Sequence, residues 1–360
     1  MTRCLFLIMP LLLLLPASLK AGEGGKPRVG LVRKILNFID TMAVSGIDQR
    51  YIQIPGRPWA VVVRSTLNQA FISLKSENST IYPDASRVRL KSYTDLAASA
   101  GVWVGYRGYG IGYSQDIIGQ RGADFTTNIV ANITKNFIIG AMGGHYGVNL
   151  RIRTYTADES RLTVWEKNQK DPLVENISLE IGEPISVRSV FADGYYMFNG
   201  KHFSYSAAYD QSAIQLRSAG SLVAGLMYHY SRVEFDGERS LDLQKLMNGV
   251  EKMKVWQGSL GGGYVYNWVP ASHLLMSAMF LPMLTFYNRV KVYYDNETEP
   301  EMTKNHVVPN FDARLSVTYN WERSYVNAFG HYNSFRYDNN DGGSVRLGDW
   351  YVYLSWGFRF

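Results

Sequence analysis

The sequence predicts an all-β protein, a transmembrane antiparallel up-and-down β-barrel of about twelve strands (ten to fourteen), preceded by a short amphipathic helix. Three observations predict this fold. Apolar and polar residues alternate over long stretches from Trp59 onward, aromatic residues collect near the ends of those stretches, and the chain finishes on an alternating segment that ends at Phe360.

The composition suits strands and turns. Of 360 residues, 46% are hydrophobic and 14% aromatic, with 33 Gly and 25 Tyr, which excludes a disordered chain and disfavours a helical one. Without residues 1–21, which contain Arg3 and Lys20, 35 basic residues would face 31 acidic ones. This excess of +4 forms no basic stripe, so no nucleic-acid partner is expected.

Residues 1–21 have the pattern of a cleaved secretory signal. Arg3 precedes the apolar stretch 4–16, and Ala21 offers a small residue for cleavage. The stretch is shorter than the ~20 residues that a membrane-spanning helix needs. Cys4, the sole cysteine, lies inside it, so thiol catalysis and cysteine metal sites are excluded from the mature chain.

A periplasmic segment, 22–58, is expected to follow. Apolar residues at helical spacing predict a helix over 28–43, and the Pro- and Gly-containing stretch 48–58 predicts a linker. The helix could pack on the barrel, lie on the membrane surface or close the lumen from the periplasmic side.

The barrel itself is expected over 59–360. Alternation is clearest in 96–107, 125–134, 222–231 and 313–321, where one face is apolar and the other small or polar. A soluble β-sandwich could also alternate, but its core would bury these polar groups at roughly 1–3 kcal/mol each. Stretches of about 10–16 residues also exceed ordinary soluble strands, so the barrel is favoured.

The C-terminal strand has one apolar face ending in phenylalanine. This pattern resembles the β-signal of bacterial outer-membrane proteins, which the barrel-assembly machinery recognises, and the residues that form it are Val352, Leu354, Trp356, Phe358 and Phe360.

Short connections are predicted at Lys135 and Asn136, at 269–272 and at 322–324, and longer charged loops at 154–186, 234–253 and 292–306. Short turns at one end and long loops at the other are typical of bacterial barrels.

Residues 195–221, with Ile47, Asp48, Tyr51 and Ile52 upstream and 106–115 between, resemble an uncharacterised family of Bacteroidetes proteins of the domain-of-unknown-function (4421) type. Members of that family are regarded as outer-membrane barrels. The resemblance therefore implies fold and location from about residue 28 to the end, and no catalytic residue.

His202 and Ser204 are the candidates for catalysis, since a nearby histidine and serine could supply base and nucleophile in an outer-membrane phospholipase or lipid A deacylase. A third, orienting residue is missing, because Leu216 stands where one would be sought. A structural hairpin, with a strand starting near Phe203, is the favoured interpretation.

Polar residues expected to face the lumen are the candidates for ligand binding: Arg107, His145, Arg151, Gln211, Gln215, Arg217, His229 and His331. For those within 195–221, a structural role in a rigid hairpin or an inward-folded loop is favoured over a ligand site. The six histidines never pair at zinc-site spacing, so neither a metal nor a cofactor is expected. The acidic stretch 295–301 could bridge calcium to lipopolysaccharide, although a solvated loop is favoured.

The sequence thus predicts a non-catalytic outer-membrane barrel serving as a small-molecule channel, a ligand-binding protein or a structural envelope component. Its expected partners are outer-membrane lipids, lipopolysaccharide and the barrel-assembly machinery. The alternatives are a lipid-modifying hydrolase and a soluble secreted glycan-binding β-protein.

Overall fold

The structure, a computed structural model, describes residues 28–76, 85–93, 97–118, 135–157, 159–166, 172, 174–179, 185–235, 250–294, 301–303, 307–321, 323–338 and 344–360. The predicted signal at 1–21, the predicted strand at 125–134 and nearly all of the acidic stretch 295–301 lie outside these ranges.

Within them the chain forms two helices and eighteen strands. In chain order these are α1 (Arg28–Val44), β1 (Ile52–Gln53), β2 (Trp59–Ser76), β3 (Ala85–Tyr93), β4 (Ala97–Tyr106), β5 (Tyr109–Ile118), β6 (Lys135–Met142), β7 (Tyr146–Ala157), β8 (Glu159–Glu166), β9 (Val174–Leu179), β10 (Ile185–Met197), α2 (Tyr205–Tyr209), β11 (Ile214–Gln215), β12 (Ala219–Glu234), β13 (Val250–Ala271), β14 (Leu274–Tyr294), β15 (Glu301–Thr303), β16 (Val308–Asn320), β17 (Ser324–Asp338) and β18 (Ser344–Arg359).

Twelve strands close into an antiparallel barrel, which confirms the predicted fold class and strand number. The circuit runs β2-β4-β5-β6-β7-β10-β12-β13-β14-β16-β17-β18 and closes where β18 pairs with β2, from Ser344 opposite Lys75 to Arg359 opposite Ala60. Strands β3, β8 and β9 extend one side of β2, and β15 pairs with β14.

The barrel wall is apolar outside and polar inside. On β16 the inward Asp312 is 0% exposed and the outward Leu315 is 63% exposed. The same alternation continues on the neighbouring strands, so large apolar side chains cover the outer surface while Asn, Ser, Thr, Arg and His fill the interior. This arrangement is the inverse of a soluble sandwich and is typical of a membrane barrel.

One end of the barrel, here called the turn end, carries the short connections. There Phe360 donates a backbone hydrogen bond of 3.0 Å to Trp59, and β4 and β5 meet through the two-residue turn Arg107-Gly108. Both turn residues have positive φ angles of 51° and 88°, as a tight hairpin requires. A side chain at Gly108 would collide with the Met142 carbonyl. The opposite end of the barrel, where β12, β14 and β17 end and β13 and β18 begin, is here called the loop end.

Two sequence predictions about connections are wrong. Lys135 and Asn136 form no turn but begin β6, where Lys135 pairs with Gln115. The stretch 154–186 is not one loop, because it contains the end of β7 together with β8 and β9. In both places backbone pairing continues through polar sequence, since ladder hydrogen bonds do not depend on side-chain polarity.

The predicted helix at 28–43 is confirmed as α1. Ile39 is buried against Tyr106 and Tyr109, and Asp40 accepts hydrogen bonds from the Tyr106 hydroxyl at 2.8 Å and from Arg107 Nε at 3.0 Å. The helix therefore packs on the β4–β5 turn rather than inside the lumen. Among the described residues, no helix combines the length and apolarity needed to cross a bilayer.

Candidate functional site

The connection between β10 and β12, residues 198–218, folds into the turn end of the barrel and is here called the plug. All five residues of α2 are buried, and Ser204 caps the helix by accepting a 3.2 Å hydrogen bond from the Ala207 amide. A helix this short is unstable alone. It is held by packing, with Phe203 and Tyr205 fully buried in a cluster that includes Leu281 of the wall.

Gln215 fastens the plug. Its Nε2 donates to the carbonyl oxygens of His202 at 2.6 Å and Arg217 at 2.9 Å, and its Oε1 accepts from the Ser204 amide and from Asn267 Nδ2. Strand β11, which contains Gln215, also pairs with β1, upstream of the barrel. The plug is thus bound both to the wall and to the segment before it.

Next to the plug lies a buried layer of ionisable side chains, here called the charge layer, formed by Arg314, Asp193, Asp312 and His331. Arg314 Nε donates to Asp312 Oδ1 at 2.9 Å and Nη2 to Asp193 Oδ2 at 3.3 Å. Asp312 also contacts His331 Nε2. Buried carboxylates need such partners, since an unpaired buried charge costs several kcal/mol.

Two adjoining cavities lie beside the charge layer. Their volumes, taken as the space open to the centre of a water molecule, are about 60 and 40 Å³, and both are lined by Arg151 and Arg153. At about 10–15 Å³ per water, each has room for a few waters or one small ion. Tyr351 and Tyr353 line the first cavity, and Phe191 and His229 the second.

The cavities contain an excess of positive charge. Among the described residues that line them, Asp349 is the one carboxylate, and it lies 3.4 Å from Arg153 Nη1 and 3.9 Å from Arg151 Nη1. Arg64, the third guanidinium, stacks 3.9 Å over the Tyr353 ring, and its buried Nε has no hydrogen-bond acceptor within the described ranges. Three guanidinium groups therefore line cavities that contain one described carboxylate, an arrangement that attracts a carboxylate or phosphate.

The sequence-predicted binding residues fall into three groups. Arg151, His229 and His331 face the lumen as expected, and Gln211 and Gln215 lie buried in the plug. The remaining three lie at the turn end rather than in the lumen: Arg107 on Asp40, His145 against Tyr196, and Arg217 over Tyr51.

His202 and Ser204 do not form a catalytic pair. The Ser204 hydroxyl is buried, caps α2 and lies 3.1 Å from the Ser206 hydroxyl. The His202 ring instead contacts Asn199 at 3.2 Å and Asp48 at 3.5 Å. The expected strand start at Phe203 is also wrong, because the residues that follow form α2, and residues 198–218 fold inward as a loop that contains this helix.

Sequence reasoning missed most of the charged interior. Arg314 did carry a signal, since it lies on the polar face of the predicted strand 313–321. Arg64, Arg153 and Asp349 could have been found by extending the same alternation along strands that were not assigned individually.

A family model described as Domain of unknown function (DUF4421) matches residues 47–360. No curated protein matches the chain. Among solved structures, the fold is similar to the outer membrane protease OmpT from Escherichia coli, with 8% identity, a TM-score of 0.42 and coverage of 85% of this chain and 97% of the other.

Two further similar structures are the toluene transporter TodX from P. putida, with 6% identity, a TM-score of 0.30 and coverage of 84% and 90%, and the outer membrane protein OprG from Pseudomonas aeruginosa, with 11% identity, a TM-score of 0.23 and coverage of 84% and 97%.

Proposed function

Because the chain belongs to the DUF4421 family, a domain family of unknown function, we propose a role from its own geometry: a non-catalytic outer-membrane barrel that binds a small anion in its lumen. The observation that carries this proposal is the meeting of Arg64, Arg151 and Arg153 around cavities that contain a single described carboxylate, Asp349.

The outer surface supports the membrane location. Leu226, Leu260 and Leu284 are exposed and lie directly opposite one another on three neighbouring strands. A soluble monomer rarely exposes a continuous apolar surface of this kind, whereas a lipid-facing wall requires it. Since bacterial barrels have short periplasmic turns and longer external loops, the turn end with the plug faces the periplasm.

The filled interior supports binding rather than free passage. The plug occupies the turn end, the charge layer lies next to it, and each of the adjoining cavities has room for only a few waters. A small anion entering from the loop end would meet Arg151 and Arg153 before the two carboxylates of the charge layer. The aromatic rings that stack on Arg64 and Arg151 keep these side chains in place.

The test is a calorimetric titration of the purified barrel in neutral detergent with inorganic phosphate and, separately, with acetate. We expect one binding site, weakened about tenfold or more in Arg64→Gln, since hydrogen bonds to charged groups contribute about 1.5–3 kcal/mol. Arg64 is the residue of choice because its loss leaves Asp349 with both of its partners.

Arg33→Gln is the matched control, because Arg33 is an exposed cation on α1 at the turn end. It should bind phosphate and acetate like the unaltered protein. No measurable binding of either anion, or equal affinities for Arg64→Gln and Arg33→Gln, would refute the lumenal site.

A further inference from the structure

We propose that the outer wall of the barrel at its loop end binds the phosphate groups of a membrane lipid. The surface consists of four basic residues on four neighbouring strands, here called the basic row: Arg188, Arg232, Lys254 and Lys291. This inference rests on the proposed outer-membrane location, because it needs the loop end to lie at the outer leaflet.

The four residues are aligned by strand register. Arg188 on β10 pairs with Arg232 on β12, Arg232 pairs with Lys254 on β13, and Lys254 pairs with Lys291 on β14. Each lies next to a buried inward valine, so all four side chains point to the outside of the wall; these valines are Val187, Val233, Val255 and Val290.

Such a row is unfavourable unless something neutralises it. Directly opposite residues in a sheet have Cβ atoms about 5 Å apart, and like charges in that position are destabilising. Glu234 neutralises Arg232, whose Nε donates to it at 2.8 Å. Within the part of the chain that the structure describes, Arg188, Lys254 and Lys291 have no carboxylate partner. Three of the four positive charges in the row are therefore not neutralised by a carboxylate of the described wall.

The level of the row on the wall points to a lipid. The next outward residues toward the turn end include Tyr230 and Trp256, whose ring centroids lie 5.4 Å apart. Further toward the turn end, the exposed Leu226 and Leu260 lie within the apolar band. Tyrosine and tryptophan girdles mark the boundary between hydrocarbon and headgroups. The cations thus lie at headgroup height, just above the surface that acyl chains cover.

The chemistry of the row selects phosphate. Arg188 and Arg232 supply planar donors that match phosphate oxygens, and the lysines add point charges. Further cations flank the row on the same face: Lys252, which lies 5.0 Å from the Tyr293 ring, and Arg289, which lies 5.4 Å from the Tyr287 ring. The surface thus needs a ligand with phosphate groups for the cations and acyl chains for the leucines beneath them. A bisphosphorylated glycolipid has both.

The experiment compares two forms of one lipid on the delipidated full barrel in neutral detergent. Bisphosphorylated lipid A and its fully dephosphorylated form, with the same acyl chains, are titrated and the bound copies are counted by native mass spectrometry. A cation near a lipid surface contributes about fivefold in affinity, so Arg188→Gln/Lys254→Gln/Lys291→Gln should weaken binding of the phosphorylated form about 100-fold.

Two control variants separate charge at the row from general effects. Arg33→Gln/Lys34→Gln removes two exposed cations of α1 at the turn end and should bind like the unaltered barrel. The charge-preserving variant Arg188→Lys/Lys254→Arg/Lys291→Arg should retain most of the affinity, even where the Gln variant loses it.

The proposal is overturned if the dephosphorylated lipid binds as tightly as the phosphorylated one, or if the Gln variant matches the α1 control. These outcomes are distinct from a failure of the proposed function. A barrel that binds phosphorylated lipid in detergent but does not insert into vesicles would refute the membrane location, and an inserted barrel without phosphate preference would refute the row alone.

Discussion

Arg314 on β16 donates a hydrogen bond of 2.6 Å to the hydroxyl of Tyr205 on the plug, 109 residues earlier in the chain. The same guanidinium donates to Asp312 on its own strand and to Asp193 on β10. One side chain thus holds the plug and neutralises two buried carboxylates of the wall. The position of the plug and the stability of the charge layer therefore depend on the same residue.

Replacing Arg314 should lower the stability of the barrel substantially. In Arg314→Met, Asp193 and Asp312 lose their buried cation, and breaking such a pair costs about 3–5 kcal/mol. Tyr205→Phe should cost less, about 1.5–3 kcal/mol, since it removes only the hydrogen bond from Arg314. Urea unfolding of the barrel in detergent measures the free energy of unfolding of both variants. Equal stability of Arg314→Met and the unaltered protein would contradict the central role of this guanidinium.

The plug also depends on a glycine of the wall. A Cβ at Gly147 on β7 would overlap the Tyr205 ring, whereas a Cβ at Gly194 on β10 meets nothing within 4 Å. Gly147→Ala should therefore destabilise the barrel by about 1–3 kcal/mol through overpacking, while Gly194→Ala should not. The same urea unfolding compares the two. If both variants, or neither, had a lower free energy of unfolding than the unaltered protein, Tyr205 would not pack against Gly147 as described.

Closure by the plug can be measured as conductance in planar bilayers. The unaltered barrel should pass almost no current, because Phe203, Tyr205 and Tyr209 are buried across its turn end. A variant in which a glycine-serine linker replaces 203–213 should show discrete open-channel currents. Large currents through the unaltered barrel would favour the small-molecule channel instead.

Much of the wall was predictable because each wall residue meets one of two environments. Leu354, for example, is exposed on the outer surface, whereas its neighbour Ser355 is buried in the interior. Apolar and polar residues therefore alternate with a period of two in the sequence. The C-terminal residues Val352, Leu354, Trp356, Phe358 and Phe360 indeed lie exposed on the outer face. Their role as an assembly signal stays a prediction.

The plug was not predictable in the same way. Residues 198–218 have no period, and the contacts that hold them come from distant positions, such as Asn267, which donates to the Ser204 carbonyl from 63 residues away. The local spacing of His202 and Ser204 therefore suggested a catalytic pair, whereas in the fold Ser204 caps α2. The lumenal cations were visible as polar positions, but their convergence depends on the closure of β18 on β2.

Acid should strengthen the docking of the plug. Burial raises the pKa of Asp210 to about 6 from its ordinary 3.8, against the opposing effects of Ser212, Arg64 and Arg359. A carboxyl with a raised pKa binds its proton more tightly in the folded state. Stability is therefore gained as pH falls through 6, and the gain is complete below 3.8.

The variant Asp210→Asn isolates this effect. It should melt at a higher temperature than the unaltered barrel at about pH 7.5, because it lacks a partly buried carboxylate that folding disfavours, and the difference should shrink at about pH 4.5. Melting temperatures of both proteins in one detergent at the two pH values provide the measurement. A difference that stays constant with pH would show that Asp210 is not protonated in this range.

Lipid should cover the row of leucines on the wall. Leu260 is 57% exposed, between Leu226 and Leu284, while the adjacent Ser259 is 1% exposed and its hydroxyl lies 2.8 Å from that of Thr285. In water an exposed leucine can become arginine at little cost. Against hydrocarbon, the same change costs about 2–4 kcal/mol near the bilayer midplane.

Leu260→Arg should therefore lower the folding free energy measured by urea titration in lipid vesicles by about 2–4 kcal/mol. Leu216→Arg is the matched control, because Leu216 is 42% exposed but belongs to the plug at the turn end, and it should change the folding free energy by no more than about 0.5 kcal/mol. If both substitutions had the same small effect, Leu260 would face water, and the barrel would not span the bilayer at this height.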